Sequence, residues 1–308
     1  MGTGNVENRG RQIVGMLGGP TGSGKTAVAL EVASALGLEI LSCDSGQSRQ
    51  GLAIGTAAPT SEEQRRIRHH LVGCLAPDAP DSVAAWLERV ESILATPGPD
   101  LLAVGGTGQY LLGLAKGLDP VPAPDPELRA RLQSRWEQEG REPLWKELVA
   151  LDPTPPHDAW QNPVRLLRAL EKALLLSRGA TAKGHAPLAP LAKIFALALD
   201  RAALQRRLES RLDKMLQNGW IQEIRALETL PLDAPCWKCI GYPELREVAH
   251  LDHVPAPTRQ RIVDATRQYA KRQETWLRNK LHPTWVPADR PVAEIASEIV
   301  TTLREANP

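Results

Sequence analysis

No stretch of this sequence approaches the ~20 consecutive apolar residues that a membrane span needs. Met1 to Arg11 is polar, has no apolar signal core, and reads as a disordered leader. A cytoplasmic protein with no membrane contact is the expectation. An excess of one charge is missing too: the net charge is +1, so any site for a polyanion must be local. Cysteine is sparse, with Cys43, Cys74, Cys236 and Cys239. Thiols stay reduced in the cytoplasm, so disulfides are not expected. Cys236 and Cys239 have C-x-x-C spacing, but a structural zinc site needs a second pair of ligands at short spacing, and none follows. The pair also lies far from the first βα unit, which weakens a redox reading. Internal repeats and low-complexity blocks are absent.

What is present is ordinary for a globular protein: 42% hydrophobic and 24% charged residues in 308, enough for a sizeable core. Gln12 to Gly18 is short, apolar and followed by glycines, as a buried parallel strand is. Thr26 to Leu36 has Val28, Val32 and Leu36 at helical spacing, with Gly37 where a C-terminal cap belongs. Glu39 to Cys43 reads as a second strand and Leu101 to Val104 as a third. Strand, glycine turn, helix, strand is the pattern of an open parallel sheet.

The middle of the chain differs. The proline-rich run from Leu118 to Pro126 cannot continue as a helix or inner strand. Helical segments follow at Glu127 to Glu139, Arg141 to Leu151 and Val164 to Ser177. Gly179 to Pro190 breaks the pattern, and Lys193 to Ala198 resumes a strand. Long helices are expected from Arg201 to Leu227 and from Pro257 to Lys280. The expected organisation is a leader over 1–11, an α/β core over 12–117 and 191–308, and a helical insertion over 118–190.

Gly19-Pro20-Thr21-Gly22-Ser23-Gly24-Lys25-Thr26 matches G-x-x-x-x-G-K-[ST]. Glycines let backbone N–H groups close around a phosphate chain, and the next helix points its positive end at the anion. Lys25 adds a point charge, and the Thr26 hydroxyl can reach Mg²⁺. This marks a diphosphate or polyphosphate site without identifying the ligand.

Further segments, in order along nearly the whole chain, are Ser42-Cys43-Asp44-Ser45-Gly46-Gln47, Ile54-Gly55-Thr56-Ala57, His69-His70-Leu71, Leu102 to Gly108, Asp125 to Leu132, Arg165 to Glu171, Ile240-Gly241-Tyr242 and Thr266 to Gln273. With these, the chain resembles the tRNA dimethylallyltransferase family. The resemblance implies a P-loop NTPase-like parallel sheet flanked by helices, with a helical insertion domain. It implies transfer of a dimethylallyl group from dimethylallyl diphosphate to N6 of the adenosine beside the anticodon's 3′ end. The P-loop would then hold the donor's diphosphate, with Mg²⁺ bridging its oxygens.

On this resemblance Asp44 is the general base, because an exocyclic amine is a poor nucleophile until its proton is taken. Thr107 and Arg211 serve the leaving diphosphate. Asp44, Ser45, Gly46 and Gln47 face the base, with Gln47 suited to an adenine edge. Gly241, Tyr242 and Arg129 are further tRNA contacts. Arg267, Lys271 and Arg278 share a helical face that would grip the anticodon stem-loop, with Arg165 and Arg168 as a second basic surface. A monomer is expected. Departures from the family pattern are Ser48 and Arg49 after Gln47, Ala53 and Ala58 around Ile54 to Ala57, and Asn162 where an aspartate is common. Two rival readings are a P-loop kinase of a small molecule and a non-catalytic tRNA-binding homologue.

Overall fold

The computed structural model describes residues 10–251 and 253–306. The described residues form two compact units: those up to Lys116 together with those from Pro187 onward, and Gly117–Ala186. The first unit opens with β1 (Ile13–Gly18), α1 (Lys25–Leu36), β2 (Glu39–Ser42), α2 (Ser61–Arg66), β3 (His69–His70), α3 (Val83–Leu94), β4 (Leu101–Val104) and α4 (Gly108–Lys116). The second unit contains β5 (Leu118–Pro122), α5 (Pro126–Glu139), α6 (Arg141–Leu151), α7 (Pro163–Ser177) and β6 (Ala182–His185). The first unit resumes with β7 (Lys193–Ala198), α8 (Arg201–Gln217), α9 (Trp220–Ala226), α10 (Tyr242–Arg246), α11 (Ala256–Lys280), β8 (Thr284–Pro287) and α12 (Val292–Ala306).

Six parallel strands make one sheet in the order β3-β2-β4-β1-β7-β8. The expected α/β class with helices flanking a parallel sheet is what forms. β1 lies between β4 and β7, so its six residues are almost wholly buried, which explains the continuous apolar run. Aliphatic residues of α1 and α12, including Val28, Val32, Ile295 and Ile299, cover part of the sheet with Leu17, Leu102 and Phe195. A second cluster gathers Leu212, Met215, Trp220, Tyr242 and Ile262 from α8 to α11. The carboxyl ends of β1, β2 and β4 open toward one edge, where ligands of such sheets bind.

Several details depart from the sequence reading. The run taken as the third strand is the fourth, because His69–His70 forms a short strand beside β2. The helix expected from Arg201 to Leu227 is two helices. Gly219, at φ 95°, takes the left-handed backbone that ends one and starts the other. The leader expected over 1–11 lies outside the described residues except at its end. There Arg11 is buried, donating to Glu39 and lying 3.0 Å from His70 Nε2. The second unit is not purely helical: β5 and β6 pair antiparallel, with Pro120 and Pro122 accommodated in this two-stranded ribbon. Its core packs Leu128, Leu132, Leu144, Leu148, Leu166 and Leu170.

Candidate active site

The phosphate loop closes directly after β1. Gly22, at φ 81°, lies against α8, where a Cβ would come within 2.9 Å of Leu208 Cδ2. No side chain caps α1, so its first amides are left for a ligand. Lys25 Nζ donates to the Gly19 and Pro20 carbonyls, both at 2.9 Å, which folds it back over the loop. Burial lowers the Lys25 pKa to about 8, against the attraction of Asp44 and with the repulsion of Arg211. The Ser23 hydroxyl is buried with no hydrogen-bond partner among the described residues. Gln273 of α11 braces the loop from a distance: its Oε1 accepts from the Thr21 amide at 2.8 Å, and its Nε2 donates to Gly106 O at 2.9 Å. Arg207 of α8 donates to Ser23 O at 3.1 Å.

Asp44 follows β2. One carboxylate oxygen accepts from the Gly46 amide at 2.9 Å and the Gln47 amide at 3.3 Å, a turn that presents the residue at the sheet edge. Thr107, after β4, meets it there: the Ser45 amide donates to Thr107 Oγ1 at 3.1 Å, and the Thr107 amide donates to Cys43 O at 3.0 Å. Asp44 lies at the electrostatic centre of the site. Burial raises Tyr269 to about 12 and Cys239 to about 11, each reinforced by the Asp44 charge. Burial lowers Arg211 from its ordinary value, and Asp44 partly restores it.

Two cavities meet at these residues. One, of about 390 Å³, is lined by Gly22, Gly24, Lys25, Thr26, Glu63 and Arg207. The other, of about 320 Å³, has one apolar wall of Leu208, Leu212, Met215, Trp220, Ile262 and Val263, with Lys238, Thr266 and Arg272 also in its lining. Thr21, Asp44, Thr56, Arg211 and Tyr269 line both. A chamber built around the phosphate loop thus opens onto one with an apolar wall, with a carboxylate at the junction. Among the described residues no group of three or more His, Cys, Asp or Glu is placed to hold a metal. The Thr26 hydroxyl lines the anion chamber, so a cation there would take its remaining oxygens from a bound phosphate ligand.

The other expected contacts divide. Ser45 is exposed and Gly46 lines the apolar cavity. Gln47 lines the phosphate-loop chamber with its amide engaged inside the protein: it accepts from Ser42 Oγ at 3.2 Å and donates to Ala57 O at 3.1 Å. Gly241 and Tyr242 are buried, and the Tyr242 hydroxyl donates to Glu223 Oε1 at 2.7 Å. Their motif holds the interior together where an RNA contact was expected. Arg267, Lys271 and Arg278 are all exposed on α11. Arg267 pairs with Asp264 at 2.9 Å and Arg278 with Glu274 at 2.7 Å, while Lys271 has no acidic partner among the described residues. Exposed pairs of this kind are weak, so a phosphate can displace them. Arg129 and Arg168 both hold the fully buried Glu171, at 2.6 and 2.8 Å. Burial would raise the Glu171 carboxyl, but these hydrogen bonds and the Asp125 amide bring it below the ordinary range. Arg165 pairs with Asp158.

Two departures find local roles. Arg49 donates to the carbonyls of Ala76, Pro77 and Ala79 at 3.3, 3.1 and 2.7 Å, fixing a neighbouring loop. Asn162 caps α7, accepting from the Arg165 amide at 3.3 Å as an aspartate would. Sequence reasoning missed Thr56, Glu223, Tyr269 and Gln273 as site-building residues. Thr56, Tyr269 and Gln273 lie in segments that carry the family resemblance, and Gln273 is also a polar side chain on the buried stripe of a long helix, whereas Glu223 left no signal.

Among known proteins, a family model described as IPP transferase matches residues 47–280, and one described as isopentenyl transferase matches 12–72. The chain is 37% identical over 278 residues to the tRNA dimethylallyltransferase of Thermus thermophilus, covering 87% of this chain and 90% of that one. It is 35% identical over 277 residues to that of Deinococcus radiodurans, at the same coverage of 87% and 90%. The solved structure of the full-length tRNA isopentenylpyrophosphate transferase of Bacillus halodurans superposes with a TM-score of 0.68 at 28% identity, covering 97% of this chain and 98% of that one. By these matches over most of its length, the chain belongs to the tRNA dimethylallyltransferase family of prenyl-transferring enzymes.

Proposed function

We propose that the chain transfers a dimethylallyl group from dimethylallyl diphosphate to the N6 amine of the adenosine beside the 3′ end of the tRNA anticodon. The observation that carries this reading is the meeting of the phosphate-loop chamber and the chamber with an apolar wall at Asp44, Thr56, Arg211 and Tyr269. A prenyl diphosphate has one anionic end and one apolar end, and the two chambers match them. A kinase would not need an apolar wall behind the phosphate.

In this reading the loop amides, Lys25 and Arg211 hold the diphosphate. The adenosine, flipped from its stack, enters past Ser45 and Gly46. Asp44 accepts the N6 proton as nitrogen bonds to the allylic carbon. The carbon–oxygen bond breaks and its electron pair leaves with the diphosphate. Lys25, Arg211 and the Thr107 hydroxyl stabilise the departing charge. Mg²⁺, held by the Thr26 hydroxyl and the donor's own oxygens, would add electrostatic stabilisation of the leaving group. Lys271, Arg267 and Arg278 on α11 grip the anticodon arm through its phosphates. The enzyme acts as a monomer in the cytoplasm, where its substrate is found. Among the described residues no helix is long and apolar enough to cross a membrane.

Mass spectrometry of tRNA nucleosides after incubation with dimethylallyl diphosphate and Mg²⁺ tests this reading. Prenylated adenosine is expected. Its absence, together with ATP hydrolysis and phosphoryl transfer to a small molecule, would move the chain to the kinase reading.

A further inference from the structure

We propose that Glu223 is a positioning residue for this transfer: it pins the Ile54–Thr56 loop, and through that loop orients Arg211 and the turn that carries Asp44. The inference rests on the reading above for what the oriented groups do, and on geometry alone for the pinning.

Glu223 stands in the first turn of α9 and lines neither cavity. Its Oε2 accepts from the Ile54 amide at 2.7 Å, and its Oε1 accepts from the Gly55 amide at 3.0 Å and the Tyr242 hydroxyl at 2.7 Å. Two successive backbone donors of an irregular loop are thus met by one side chain from a residue far along the chain. Without it they would stay unpaired in a half-buried setting. Trp220 packs its indole against Gly55, at a place where a Cβ would collide with the ring. The carboxylate and the indole therefore hold the loop from one helix.

The pinned loop reaches the site groups directly. The Thr56 carbonyl accepts from Arg211 Nη2 at 3.4 Å and from Gln47 Nε2 at 3.5 Å. The neighbouring Ala57 carbonyl accepts from Gln47 Nε2 at 3.1 Å. Thr56 also packs on Gly46, where a Cβ would lie 2.9 Å from Thr56 Cγ2. Gln47 and Gly46 belong to the turn whose amides hold the Asp44 carboxylate. A shift of the loop would thus move the proposed base and the proposed diphosphate ligand together. This also assigns Tyr242 and Gln47 a shared role: both are inward-facing parts of the brace, which explains why neither side chain is free for RNA.

The test is Glu223→Gln, which keeps the size but must aim an NH₂ at the Ile54 amide or at the Gly55 amide and Tyr242. Transfer assays should show kcat lowered by about tenfold or more and KM for dimethylallyl diphosphate raised, with KM for tRNA unchanged. Hydrogen exchange at the Ile54 and Gly55 amides should quicken, while exchange across the sheet stays near wild type. Tyr242→Phe, which removes one hydrogen bond of the three, should shift the same quantities less. If Glu223→Gln does not fold, Tyr242→Phe decides alone. Wild-type kinetics per folded molecule, a loss that only tracks the folded fraction, or unchanged exchange at both amides overturns the proposal. If wild-type protein itself fails to prenylate tRNA, the functional reading fails, and the exchange measurement still decides whether Glu223 pins the loop.

Discussion

On the phosphate side of the site, one continuous segment, Gly19 to Thr26, forms the loop itself, and α8 adds Arg207 and Arg211. At the junction of the two chambers Asp44, Thr56, Arg211 and Tyr269 come from widely separated parts of the chain and meet only in the folded protein. The first wall is local: its shape follows from a strand, a glycine loop and the start of a helix. The second is assembled, and depends on braces such as Glu223 to Ile54 and Gln47 to Ala57. Even the local wall is steadied from afar, by Gln273 on Thr21. A motif can therefore mark where a ligand binds while the reaction geometry rests on contacts that no motif contains.

The assembled wall should lose most from a single change. Asp44→Ala is expected to lower the single-turnover transfer rate by about 10²–10⁴-fold, the range of a general base, with tRNA affinity nearly unchanged. Near-wild-type transfer by this variant would remove Asp44 from the mechanism.

The local wall should answer to pH. Burial lowers the Lys25 pKa to about 8. It carries its charge below that value, so donor affinity is greatest there. As pH rises through it, binding must take up a proton, and affinity should fall by up to about tenfold per pH unit. Titration calorimetry with dimethylallyl diphosphate from pH 7 to about 9.5 should show this slope, and Lys25→Ala should flatten it. A slope that survives in the variant assigns the titration to another group.

Gln273→Leu tests how far the local wall depends on the rest of the fold. It leaves the Thr21 amide and the Gly106 carbonyl unpaired, and should cost about 1–3 kcal/mol of stability in chemical denaturation. Donor affinity should fall as well, since Thr21 lines both cavities. Unchanged donor binding would show the loop to be self-sufficient.

The smallest effect belongs to the outer surface. Reversing Lys271 and Arg278 to glutamate should weaken tRNA binding and reduce its log–log salt slope by about one unit per lost phosphate contact. Lys271→Glu and Arg278→Glu alone should each account for part of it, because the exposed Arg278–Glu274 pair yields to a phosphate. Equal salt slopes in wild type and variant would place the grip elsewhere, with Arg165 the next candidate.

Much of this was legible in the amino-acid order. The central strands Leu101–Val104 and Lys193–Ala198 and the helix Arg141–Leu151 fall where hydrophobic spacing and glycine or proline punctuation put them. The phosphate loop and Asp44 are legible for the same reason: a turn and a cap are settled by residues within a few positions of one another. Outlying elements such as β3 and β8 were not legible. Short edge strands carry too few residues to show a period, and pairing with a neighbour decides them.

By itself, then, the sequence determined a parallel α/β sheet, an anion cradle at the end of its first strand and a carboxylate at the end of its second. Only the tertiary structure decided where the remaining polar side chains point. Gln47 and Tyr242 turn inward because Ala57 O and Glu223 lie beside them in space. Arg129 and Arg168 turn toward Glu171, which packing has buried. A polar group removed from water must take the partner that packing places next to it, and that partner is usually distant in the chain.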